Sequence, residues 1–284
     1  LEKTLVLSGL YRWYQKYVFQ DRIPEIETSF VDLNKFEEHY SEIFDSLRSS
    51  GYDGVEGFLE LPSIQEKPRS LRKLLEKYGM KIPIAYANSL LHDSNVSERS
   101  IQTVLAMAEK SLDAGVKILD INPEPSAYKK TIEEISFEAK SLEILSQKLK
   151  EIDLQLSVHY HDEMMRSDAK ELRYILNNTD PGLVKLTLDF HWAFRAGVDP
   201  IQLLQQYGSR TVAIHLRNSV NGIWREALCD GEVDYKWTSA ILRAMDWKGL
   251  IVVELANEKG VRKDNTIEEN HLISRQYVRD TFGA

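Results

Sequence analysis

The sequence predicts an α/β chain folded as a single (β/α)8 TIM barrel over residues 1–284, and three observations carry that prediction. Short apolar runs alternate with amphipathic stretches from one end of the chain to the other, the beat of strand–helix units wound into a parallel sheet. The length of 284 residues suits one barrel, which typically takes about 250. The later apolar runs also end on groups that chemistry uses, at the sheet edge where parallel α/β folds collect their active sites. Val184 to Leu188 ends on Asp189, and Thr211 to Ile214 ends on His215, with Arg217 two residues on.

Taken in order, Thr4–Ser8 reads as the first buried strand. The stretch from Tyr11 to about Asn34 is rich in Tyr, Trp and Phe without clean periodicity. It reads as a long loop packed on the barrel or as an aromatic wall facing substrate. Phe36, Tyr40, Ile43, Phe44 and Leu47 recur at helical spacing, and Gly51 closes that helix. Tyr52–Phe58 is the second strand. Pro68 opens a helix through Leu71, Leu75 and Tyr78 that stops at Gly79. Ile82–Ala87 is the third strand. A helix from Ser97 through Leu112 ends at Gly115, and Val116–Ile121 is the fourth strand, broken by Asn122–Pro123. Ile132–Ile152 is a long charged helix, and Leu154–Tyr160 alternates as the fifth strand. Ala169–Leu176 is helical, and Asp180–Pro181–Gly182 is turn chemistry. After the sixth strand Asp199–Pro200 opens a short helix, Ile201–Tyr207, which leads into the seventh. Trp237–Met245 is helical, Leu250–Leu255 is the eighth strand, and Ile267–Phe282 closes the chain. No linker, low-complexity tract or composition break marks a second domain.

Bulk composition narrows the function. A hydrophobic content of 43% supports a large core, and 36 basic against 44 acidic side chains leave a net charge of −8. That balance argues against nucleic acid, whose binders need a basic field. No apolar run approaches the roughly 20 residues that span a bilayer, so no membrane partner is expected. The lone cysteine, Cys229, excludes a disulfide framework and fits a reducing compartment. A cytoplasmic location is therefore expected. The chain opens on Leu rather than Met, which leaves an upstream targeting segment open.

Ionisable groups at strand carboxyl ends are the natural site residues: Glu56 on strand two, His159 and His161 on five, Asp189 on six, His215 on seven and Glu254 on eight. Groups on adjacent strands could meet around one divalent ion. Imidazole with carboxylate suits Zn, Mn or Co, and Mg where carboxylate dominates. Such an ion polarises a carbonyl or hydroxyl and acidifies the neighbouring C–H. A strand-end aspartate is often only a helix cap, so Asp189 alone decides little; the succession Asp, His, Glu on strands six to eight favours a metal site. There is no GxGxxG after a strand, no P-loop, no GxSxG and no HExxH, so nucleotide cofactors and serine hydrolysis have no support.

Several motifs, in order, give a more specific likeness: GYDGVEG (51–57), VHYHDE (158–163), LDFHWAFRAGVDP (188–200), IHLRN (214–218), DGEVDY (230–235) and KGLIVVELA (248–256). Together they resemble the xylose-isomerase-like TIM-barrel superfamily. That group holds sugar phosphate isomerase/epimerase-type proteins together with inosose and dehydroshikimate dehydratases. The resemblance implies a metal held by a Glu on strand five, an Asp on six, a His on seven and a Glu on eight. The last three fall on Asp189, His215 and Glu254. Where the first is expected this chain has His159, which can take the ligand position, act as a base away from the ion, or be a hydrogen-bonded strand residue. His159 and His161 lie two apart, on the same side of the strand, and Tyr160 faces the helix layer.

Many relatives read DxxH after the strand-six aspartate. Here the third position is Trp192 and the histidine is His191. Trp192 could stack on a sugar ring or pack at the rim. The seventh loop brings Trp224, Arg225 and Glu226 toward the mouth, as a carbohydrate platform or as loop anchors. Arg217 suits a substrate hydroxyl, carboxylate or phosphate. Glu56 can bond substrate or pair inside the barrel. The Glu/Lys runs at Glu66–Lys77 and Lys129–Lys150 read as solvated faces, and Cys229 as inert.

The expectation is a metal-dependent isomerase or epimerase of a small sugar, keto-sugar or cyclitol. It would abstract a proton next to a carbonyl, with Glu254 or His159 moving that proton. A lyase of the inosose- or dehydroshikimate-dehydratase type is second, and a sugar-binding barrel without turnover is the reading from another class. The endonuclease IV branch of the fold needs a richer His/Glu set and a basic surface. The partner expected is a small polyhydroxylated substrate. Relatives often self-associate, but no exposed stripe identifies an interface.

Overall fold

The computed structural model of the chain describes residues 4–17, 33–123 and 129–284. Eight parallel strands close a barrel in chain order. They are β1 (Val6–Gly9), β2 (Gly54–Phe58), β3 (Lys81–Ser89), β4 (Ile118–Pro123), β5 (Gln155–Val158), β6 (Val184–Asp189), β7 (Thr211–Leu216) and β8 (Leu250–Val253). Each strand pairs with the next, and β8 closes on β1 through Val6–Ile251 and Ser8–Val253. All eight overlap the expected strands. A short antiparallel hairpin, Ser219–Val220 with Ile223–Trp224, sits in the loop between β7 and β8.

Local chemistry sets the helix ends. Thr131 with Glu134, and Thr266 with Glu269, form reciprocal capping boxes at the starts of Ile132–Glu151 and Ile267–Phe282. Pro68 and Pro200 stand at first helical positions, where the missing N–H costs nothing. Gly51, at φ 92°, turns the chain out of Tyr40–Ser50 in a left-handed conformation that only glycine adopts freely. Among the described residues no helix is long and apolar enough to cross a membrane.

Three local expectations are corrected. The aromatic segment after β1 is not all loop: Tyr11–Tyr17 is a helix, and its buried Trp13 stacks on His271 of the last helix at 5.3 Å. A tertiary stack, with no periodic stripe, supports it; positions 18–32 lie outside the described residues. The helix expected from Phe36 is two, Leu33–Glu37 and Tyr40–Ser50, parted at His39. The helix after β5 starts earlier than expected, at Asp162, and is interrupted at Arg166–Ala169.

Alternation along the strands sorts the barrel interior into layers. Leu7, Ile84, Ala213 and Val252 form an apolar cluster of their own, with Leu5, Ile118 and Leu250 against it. Two residues further along the same faces stand Gly9, Tyr86, Asp120, His215 and Glu254. The core outside the strands is the larger apolar layer under the helices. A dry floor under a polar mouth is what positions the site.

In the charged run Lys129–Lys150, where Lys129, Glu133, Lys140, Lys148 and Lys150 are exposed as expected, two residues depart from the solvated face. Glu138 is fully buried and Lys130 nearly so. Lys130 Nζ lies 2.6 Å from Glu138 Oε2 and 2.8 Å from Glu171 Oε1. Tyr160 donates its hydroxyl to Glu138 at 3.2 Å, and His92 Nδ1 stands 3.9 Å from the same carboxylate. The signal was in the register: Glu138 follows Ile135 by three and precedes Leu142 by four, within the apolar stripe. Burial, reinforced by Glu171, raises Glu138 to about 7 against the pull of Lys130.

A pH prediction follows from that shift. Below the ordinary glutamate range both folded and unfolded chains hold the proton. Between there and pH about 7 only the folded chain does, so this group's contribution to stability falls as pH rises through the window and is level above it. Melting curves from pH 4 to 8 should therefore differ in slope between the wild type and Glu138→Gln, with the variant flatter.

Candidate metal centre

The carboxyl ends of β5 to β8 converge on one point. Asp189 ends β6 directly opposite His215 on β7, Glu254 follows β8, and His159 follows β5 with its amide bonded to Ile121 O at 2.9 Å. One ligand atom from each of His159, Asp189, His215 and Glu254 lies within 4.8 Å of all the others. That spread is close to the span, about 4.2 Å, of a coordination sphere built from bonds of about 2.1 Å. Gly9 makes room for it, since a Cβ there would meet Glu254 Cγ at 3.1 Å.

Asp189 divides its work between two oxygens. Oδ1 accepts from the amides of His191 and Trp192, both at 2.8 Å, and so caps the short helix Phe190–Arg195. Oδ2 turns into the cluster, 3.2 Å from the Arg217 guanidinium, 3.8 Å from His159 Nε2 and 4.0 Å from His215 Nδ1. Cap and cluster member are both true of this residue. Glu254 Oε2 lies 3.3 Å from His215 Nδ1 and bonds Arg217.

The donor set fits a divalent ion on an observation independent of distance. Both nitrogens of His159 and both of His215 are buried without an aligned hydrogen bond. A buried polar group left unmet costs about 1–3 kcal/mol, and an ion ligated by one nitrogen of each ring would meet two of the four. Burial alone would raise Asp189; Arg217 first, then His159 and His215, reverse this and hold its carboxyl well below the usual range. Burial is likewise outweighed at Glu254, which Arg217 and His215 hold down to about 2. Burial would lower His215, but Glu56 and Glu254 on either side raise it well above its ordinary value. Both carboxylates are therefore ionised and available to a cation.

The remaining expected site residues are placed as follows. His161 is half-buried beside His159, with ring centroids 5.0 Å apart; burial and that neighbour hold it down to about 3, so it is neutral. Tyr160 faces the helices, as alternation requires. Trp192 is half-buried, 5.1 Å from the His161 ring and 5.4 Å from Trp224, with an indole N–H that meets no partner. Arg217 is not open to the mouth. It is buried, wedged between the Trp192 and Trp224 rings and bonded to Asp189 and Glu254.

Trp224 is an anchor and not an exposed platform. It is 9% exposed, and its indole N–H donates to His191 Nδ1 at 3.1 Å. That bond, with Ser219 2.6 Å from His191 Nε2, uses both nitrogens of His191 and keeps it out of the cluster. Glu226 is turned away from the centre, and its oxygens accept from Asp264, Asn265 and Asn270 at the start of the last helix. Glu56 pairs inside the barrel, 3.2 Å from His215 Nε2, one of the placements expected of it.

Sequence reasoning passed over one wall of the mouth. Tyr86 stands edge-on to His159 at 5.7 Å and stacked on His161 at 6.5 Å. Its hydroxyl donates to Asn88, which also accepts from Asn122, and Asn122 Oδ1 is buried without a partner. The signal was available: Tyr86 and Asn88 alternate on β3, and Asp120 and Asn122 on β4.

Fold and site together define a (β/α)8 barrel with a candidate metal centre at the carboxyl ends of its strands. A family model described as the xylose isomerase-like TIM barrel matches residues 44–277, and the chain belongs to that family. It is 25% identical to the inosose dehydratase of Geobacillus kaustophilus (strain HTA426), over 93% of this chain and 96% of that protein. A sugar phosphate isomerase/epimerase from Parabacteroides distasonis superposes with a TM-score of 0.76 at 15% identity, covering 98% of this chain and 94% of the other. The IOLI protein, solved with a bound zinc atom, superposes at 0.74 and 15% identity, covering 98% of both chains. These two structural likenesses speak for the fold.

Proposed function

We propose that this barrel is a divalent-metal-dependent lyase that removes water from a small polyhydroxylated ketone of the cyclitol type. The observation that carries it is the convergence of His159, Asp189, His215 and Glu254 on one point beside neutral His161. The inosose dehydratase relative, aligned over nearly the whole of both chains, puts the lyase ahead of the isomerase that the sequence motifs alone favour. In this reading those four residues hold one ion, Zn, Mn, Co or Mg, which when bound would polarise the substrate carbonyl and acidify the adjacent C–H.

The chain's own groups do the rest. Glu254 takes the proton from carbon, with His159 the second candidate for that task. His161, with one N–H, donates a hydrogen bond to the departing β-hydroxyl and keeps its proton. The C–O bond breaks as the C–C double bond forms, and the proton taken from carbon leaves with the hydroxide as water, so no external oxidant or acid is required. If the proton is delivered to the neighbouring carbon the outcome is isomerisation, and if the same carbon is reprotonated on its opposite face the outcome is epimerisation; the second reading therefore uses the same residues. Trp192 and Tyr86 wall the substrate, and Arg217 orients Asp189 and Glu254.

The test is incubation of the metal-reconstituted protein with keto-inositols in deuterated buffer. Loss of 18 Da with a new conjugated-carbonyl absorbance is the lyase result. Deuterium incorporation without mass loss is the isomerase result, and neither would leave the sugar-binding barrel. Dialysis against EDTA is expected to abolish turnover, and about one equivalent of Zn, Mn or Co should restore it.

A further inference from the structure

We infer that Glu56 is a positioning residue for His215, holding the imidazole with its Nε2 proton toward β2 and its Nδ1 lone pair toward Asp189 and Glu254. The inference rests on the metal centre proposed above and assigns the atom through which His215 enters it. The His215 ring spans the barrel between two sets of carboxylates. Nδ1 is 3.3 Å from Glu254 Oε2 and 4.0 Å from Asp189 Oδ2, whereas Nε2 is 3.2 Å from Glu56 Oε2. A neutral imidazole carries one proton and one in-plane lone pair, and a carboxylate only accepts. Whichever nitrogen is bound to a carboxylate outside the centre keeps the proton, and the other is left to ligate.

Glu56 is the group outside the centre. Its side chain is 7% exposed, against 18% for Glu254, and it lies opposite Gly9 on β1 in the barrel wall. The 3.2 Å separation is of hydrogen-bond length.

Glu56, Asp120 and His215 also form a second group compact enough for an ion. His215 cannot serve both, because a neutral ring has one lone pair. The upper group has four members and the lower three, and one Asp120 oxygen is already taken by the Ser157 hydroxyl at 2.6 Å. The lower group is therefore the brace and the upper the centre.

Glu56→Leu removes the acceptor at similar volume, and Glu56→Gln keeps a neutral one. Two readouts are made on the full chain: the imidazole N–H resonances of the protein with Zn2+ added, with His215 assigned through His215→Gln, and calorimetric titration with Zn2+ alone. The wild type should show an exchange-protected His215 Nε2–H, retained in E56Q and lost in E56L. Zn2+ affinity should fall about 10–100-fold in E56L and by only a few-fold in E56Q. Equal affinity in the wild type and E56L, or a wild type without that resonance, overturns the inference and leaves the metal centre standing. A wild type that takes up no Zn2+ overturns the centre and the role of Glu56 together. If E56L does not fold, the wild-type resonance decides.

Discussion

Asp189→Asn should lose metal binding and turnover while the barrel stays folded. Asp189 has two duties on two oxygens, and the substitution separates them. An asparagine oxygen can still accept from the amides of His191 and Trp192, each at 2.8 Å in the wild type, so the cap survives. The charge facing Arg217 and the two histidines does not. Catalytic efficiency should drop by about 10³-fold or more, the scale of removing a group that stabilises developing charge. Asp189→Ala should lose the same activity and also about 0.5–2 kcal/mol of stability through the lost cap. Metal content and thermal melting of the two variants, side by side, check this. Wild-type metal content in D189N would remove Asp189 from the centre.

Lys130→Met should cause a large loss of stability. The ammonium sits between Glu138 and Glu171 at 2.6 and 2.8 Å, and Glu138 has no solvent to fall back on. Removing the cation leaves two carboxylates facing each other in the core, and breaking a buried pair in this way costs about 3–5 kcal/mol. For a chain of this size the melting temperature should fall on the order of 10 °C. Lowering the pH should recover part of the loss, because a protonated Glu138 no longer needs the cation. A double variant, Lys130→Met with Glu138→Gln, should be more stable than Lys130→Met alone. If K130M melts with the wild type, the network carries no net weight.

The positions of the strands were legible because their signal is local. The run KLTLD at 185–189 and the run LIVV at 250–253 state their periodicity within a few residues, and the turn chemistry around them states where they stop. Helix ends were legible for the same reason at Gly51, Pro68 and Pro200. The helix at Tyr11–Tyr17 was not, since its support is the stack of Trp13 on His271, some 250 residues away in sequence. The motif likeness likewise reaches the family, because the order of strand-end residues is carried along the chain.

The barrel, the family and the set of residues at the strand ends can be read along the chain, because they depend on spacings within a segment or on the order of segments. Which atoms of those residues face one another depends on the folded sheet. It turned one Asp189 oxygen to a cap and the other to the centre, drew Trp224 inward onto His191, placed Glu56 against His215, and buried Lys130 between Glu138 and Glu171. Those outcomes depend on register between neighbouring strands and on closure of the sheet, which bring together side chains tens to hundreds of residues apart. A contact at that separation leaves no periodic trace in the chain, so a charged residue in an apolar stripe or a polar one on a strand reads alike whether it meets solvent, a partner or an ion.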